Sequence, residues 1–100
     1  MANIVLVSDI DLKARRFNST DMRIISLAQM LVNNHSVTVH TPNGLWKVVN
    51  GDTLKYEPLS YVDTKQGNPH TLVIIALTRW SIRTAENIYC SAKQRIIDLY

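Results

Sequence analysis

Two short aliphatic runs constrain the fold more than anything else in the chain. Ile4 to Val7 and Leu72 to Leu77, in "NIVLV" and "LVIIAL", are continuously apolar and rich in β-branched residues. A strand with water on one face alternates apolar and polar residues. A strand with no alternation must be covered on both faces, the condition met in parallel sheets flanked by helices. Neither run is long enough to cross a bilayer, which needs about 20 apolar residues in a helix.

The segments between fit that scheme. Ile24, Leu27, Ala28 and Leu31 recur at helical spacing, so they predict a helix with one apolar face. Asn18, Ser19 or Thr20 caps its start and Asp21 falls in its first turn, where negative charge is favoured. Asn33-Asn34 predicts its stop through a left-handed residue. "HSVTVH", residues 35 to 40, alternates and predicts a second strand with Val37 and Val39 on one face. Strand, helix and strand form a βαβ unit. In "LWKVVNGDTLKYEPL", Asn50-Gly51 predicts a hairpin; a short helix from Leu45 to Asn50 stopped by Gly51 is the rival reading. Residues 63–70 read as a loop. Ala85, Ile88, Tyr89, Ala92, Ile96 and Leu99 share one helical stripe, with Ser81 or Thr84 as the cap. The expected fold is therefore α/β: a Rossmann-like three-layer unit with a mainly parallel sheet and a β-hairpin insertion near residues 45–58. Residues 1–100 make one such domain, or the truncated N-terminal half of a larger protein.

Composition narrows the function only a little. The formal charge is +3 and the single cysteine, Cys90, permits no internal disulfide. With no signal-peptide pattern and no transmembrane run, the expectation is a soluble, cytoplasmic chain. No cofactor motif is present, and none is expected.

The charge is clustered. Lys13, Arg15, Arg16 and Arg23 surround the predicted first helix start, and Arg79 and Arg83 lie after the last strong strand. In an open α/β sheet, ligands sit beyond the carboxyl ends of the strands. The loop after the first strand, with Arg15, Arg16, Ser19, Thr20 and the helix N–H groups, is placed to face an anion there. It has no glycine, which argues against a tight pyrophosphate cradle. His40, Arg79 and Trp80 are expected on the same edge, with His40 as the candidate base and Trp80 as a stacking platform. A rival constellation is Asp52, Asp63 and Lys65, spaced loosely like a metal-dependent nuclease site. A basic surface carrying Trp46, Tyr56 and Tyr61 also admits nucleic-acid binding without chemistry.

Residues 3 to 42 carry a resemblance. "NIVLVSD", a loop, and then "STDMRIISLAQMLVNNHSVTVHTP" resemble the opening of glycosyltransferases built from two facing Rossmann-like domains (the GT-B type). The matching positions are Leu27, Ala28, Leu31, His35, Val37, Thr38, Val39 and Thr41. The resemblance implies an acceptor-side domain of an enzyme that transfers sugar from a nucleotide sugar to a hydroxyl acceptor. It implies Ser19, Thr20, Asp21 and Arg23 along the interdomain cleft. It also implies a separate C-terminal domain, because 100 residues hold only one half of such an enzyme. The other expectation is a small non-enzymatic module that forms a homodimer or binds an anionic partner such as nucleic acid.

Overall fold

The computed structural model describes residues 3–50, 55–59, 71–89 and 94–98. Among these, the order is β1 (Asn3–Val7), α1 (Ser19–Leu31), β2 (Ser36–Thr41), β3 (Gly44–Val49), β4 (Lys55–Leu59), β5 (Thr71–Ala76), α2 (Arg79–Ile88) and β6 (Gln94–Asp98). The strands form one mixed sheet in the order β4-β3-β2-β1-β5-β6. The runs at 4–7 and 72–77 lie side by side and parallel, with Ile4 opposite Leu72 and Leu6 opposite Ile74. On the other flank of β1, Ile4 pairs with Val37 and Leu6 with Val39, again in parallel.

Alternation along the strands separates two cores. Ile4 and Leu6 of β1, with Val37, Val39, Val48 and Ala76, pack with Ile24 and Ala28 of α1. Val7, Val73 and Ile75 pack with Ala85 and Tyr89 at the end of α2. The two helices therefore cover opposite faces, which is why β1 and β5 need apolar residues at every position. Fully burying each such side chain is worth about 1.5–3 kcal/mol.

The start of α1 is set by Asn18. Its Oδ1 accepts from the Asp21 N–H at 2.8 Å, and Asp21 Oδ2 accepts from the Asn18 N–H at 3.1 Å. This reciprocal capping box satisfies two N–H groups that the helix itself cannot. The helix ends where the sequence predicts, but by another route. Val32 is the C-cap in a right-handed conformation, and among the described residues no non-glycine has positive φ. Asn33 serves instead as a side-chain partner, accepting from Asn50 Nδ2 at 2.7 Å.

The middle of the chain is a hairpin. β3 and β4 pair antiparallel, with Val49 opposite Lys55, so the rival helix from Leu45 to Asn50 is excluded. The Asn50-Gly51 turn itself falls partly outside the described residues. A second hairpin joins β2 to β3, with Thr41 opposite Gly44. Gly44 sits at φ +129, a conformation that side chains with a Cβ rarely adopt. His40, expected at the ligand-facing edge, is thus near the end of one strand, followed by a tight turn into the next.

The last predicted stripe needs the largest correction. α2 stops at Ile88, and Ile96 belongs to β6, an edge strand parallel to β5 with Ile96 opposite Ile74 and Ile97 opposite Ile75. Thr78, not Ser81 or Thr84, is the N-cap of α2. Ser81 and Thr84 are buried. The loop expected at 63–70 and Cys90 lie outside the described residues, in which no helix is long and apolar enough to cross a membrane.

Candidate functional site

Because β1, β2, β5 and β6 all run the same way, their trailing ends share one rim. The rim has two sides of opposite character.

On the α2 side it is closed. His40 is 1% exposed. Its Nδ1 lies 2.7 Å from the Tyr89 hydroxyl, and both Tyr89 and Trp80 meet its ring edge-on, at 5.5 and 5.8 Å between centroids. Burial lowers the His40 pKa below the usual 6.5, since the cationic form loses its hydration. Ser81 is also fully buried; Thr78 Oγ1 donates to Ser81 Oγ at 2.6 Å. His40 is therefore a core residue here, out of reach of solvent, and Trp80 packs against it. Arg79 lies exposed at the start of α2.

On the α1 side the rim is open. The chain leaves β1 with Ser8, whose N–H donates to the His40 carbonyl at 3.0 Å and whose Oγ accepts from the Ile10 N–H. Buried Ile10 anchors the loop. Asp11 then makes a local turn, Oδ1 accepting from the Lys13 N–H at 3.0 Å. Arg15, Arg16 and Ser19 are exposed, while Thr20, Asp21 and Arg23 are half-buried. These residues are neighbours on one loop and one helix start, and Asp21 is engaged in the cap.

Between this loop and the β2–β3 turn lies a cleft of about 320 Å³, lined by Asp11, Leu12, Lys13, Asn43 and Trp46. Trp46 is held firmly. Its Nε1 donates to Thr41 Oγ1 at 3.2 Å, and that hydroxyl donates to the Gly44 carbonyl and accepts from the Asn43 N–H. The Lys13 ammonium lies over the indole, 5.6 Å from the centroid. Reading the sequence misses this cleft, although the Thr-Pro-Asn-Gly turn signal at 41–44 was there to place Trp46 opposite Val39.

Asp52, Asp63 and Lys65 lie outside the described residues, among which no group of three or more His, Cys, Asp or Glu is arranged to hold a metal. Comparison of the chain with known protein families, with curated proteins and with solved structures finds no match.

Proposed function

We propose that this chain is a Rossmann-like, acceptor-side domain of a cytoplasmic glycosyltransferase that uses a nucleotide sugar. One observation carries the reading: four parallel strands end on a single rim, and the cationic loop and the start of α1 rise from it. In such a reaction an acceptor hydroxyl attacks the anomeric carbon. The bond from that carbon to the nucleotide's phosphate oxygen breaks, the phosphate leaves with the bonding pair, and the hydroxyl's proton passes to the departing phosphate. Arg15, Arg16 and the N–H groups near Ser19 and Thr20 supply positive charge where that negative charge grows. A second domain supplies the contacts to base and ribose, leaving the phosphates to this loop and helix start.

Titrating the ¹⁵N-labelled chain with UDP, GDP and ADP tests this. At least one should shift amides between residues 12 and 23, and changing both Arg15 and Arg16 to Ala should weaken it about tenfold. Absence of any shift there, or shifts centred elsewhere, overturns it.

One observation favours a second reading, a non-enzymatic module that dimerises. The edge strand β6 leaves Ile96 53% and Ile97 44% exposed, one on each face. Isoleucine on both faces befits a covered strand. A concentration-dependent sedimentation coefficient abolished by Ile97→Lys supports that reading; a monomer at all concentrations removes it.

A further inference from the structure

The cleft beside Trp46 has a composition of its own. Its polar lining is one carboxylate (Asp11), one ammonium (Lys13) and one amide (Asn43), facing one indole. The formal charges cancel, so the lining selects neither a strong anion nor a strong cation. It offers donors from Lys13 and Asn43 and acceptors from Asp11 and Asn43. The indole N–H is already engaged by Thr41, so Trp46 presents a π surface rather than a donor. One side of Trp46 packs on the core, and the flexible Lys13 side chain lies over the ring. A lysine head can swing aside at little cost, because a surface cation–π contact is worth only about 0.5–1 kcal/mol. The volume is that of a small-ligand site.

We infer that this cleft binds a neutral, polyhydroxylated ring, a pyranose unit, stacked on Trp46. The electropositive C–H face of such a ring meets the electronegative face of the indole. Its hydroxyls donate to Asp11 and accept from Lys13 and Asn43. Calling that pyranose the acceptor rests on the transferase reading; the binding does not.

The test is titration of the ¹⁵N-labelled chain with methyl glucoside, galactoside and mannoside, with glucuronate and UMP as charged rings. The expected result is saturable movement of the Trp46 indole signal and the Asn43 side-chain amide with at least one neutral pyranoside, at millimolar affinity of about 1–50 mM. Asp11→Asn, which keeps the oxygen that accepts from Lys13, and Asn43→Ala should each weaken it severalfold. Trp46→Ala should weaken it about tenfold or more. Both exposed-residue variants bear on the cleft even if Trp46→Ala fails to fold. No saturable movement with any neutral sugar, or movement with glucuronate or UMP alone, overturns the inference. A sugar response without a UDP, GDP or ADP response leaves the cleft and removes the transferase reading; the reverse leaves the transferase reading and removes the cleft.

Discussion

Each face of the sheet buries a tyrosine hydroxyl, and the two are treated differently. On the α2 face, Tyr89 is 2% exposed and its hydroxyl is bonded to His40. On the α1 face, Tyr56 of β4 packs against the core, and its buried hydroxyl has no hydrogen-bond partner among the described residues. Burial raises the Tyr56 pKa, as desolvation disfavours the phenolate. The contrast extends along the rim. On the α2 side polar groups are matched with one another: Thr78 with Ser81, and His40 with Tyr89. On the α1 side Asp11, Lys13 and Asn43, all exposed, line an open cleft beside Trp46. A polar group at the end of a buried sheet is either satisfied internally, where it contributes stability, or turned outward, where a ligand can reach it.

The sharpest way to break this comparison is to remove His40. His40→Ala leaves a cavity and removes one buried hydrogen bond from Tyr89, so it should cost about 2–4 kcal/mol. Urea denaturation followed by circular dichroism measures this. A cost below about 1 kcal/mol would show the α2 side to be no more internally matched than the α1 side.

The two tyrosines give the next test. Tyr89→Phe should destabilise by about 1–2 kcal/mol, because it removes one side of a buried hydrogen bond. Tyr56→Phe removes a hydroxyl that makes none among the described residues, so it should be neutral or stabilising by about 1 kcal/mol. Equal costs for the two substitutions would erase the distinction between the faces.

Acidification probes the same pair. The His40 pKa in the folded chain lies below its unfolded value of 6.5. The unfolded chain therefore takes up this proton first as pH falls. Stability is complete above about 6.5, declines below it, and stops declining once pH has passed the lower, folded pKa. Denaturation midpoints at pH 7.5 and 5.5 should differ in the wild type, and this part of the difference should vanish in His40→Ala.

These tests act on features of unequal legibility. The strands at β1, β2 and β5 were readable because their signal is local: continuous or alternating β-branched residues. β6 was not, because Ile96 falls in helical phase with Ile88 and Tyr89. Only its pairing with Ile74 of β5 makes it a strand. His40 was legible as the end of a strand but not as a core residue, since its partner lies 49 positions away. The cleft depends on register: Trp46 faces α1 because the turn at 41–44 sets it opposite Val39, and the loop that completes the cleft comes from residues 11–13, about 30 positions earlier. The cationic loop needed only composition, and it lies where the parallel sheet demands.

That loop gives the smallest stability effect and the one that most sharpens the contrast. Arg15 and Arg16 are exposed, and the loop's shape is set by others: buried Ile10, the Asp11 turn and the Asn18 cap. Exposed charges contribute little to folding because water solvates them in both states. Replacing both with Ala should change the unfolding free energy by no more than about 0.5 kcal/mol, while lowering affinity for a nucleoside diphosphate. The same pair of measurements on His40→Ala should show the reverse order, a large loss of stability at a site closed to ligand. If the double arginine variant instead unfolds easily, its cations are holding the loop together, and the open side of the rim supports the fold no less than the closed one does.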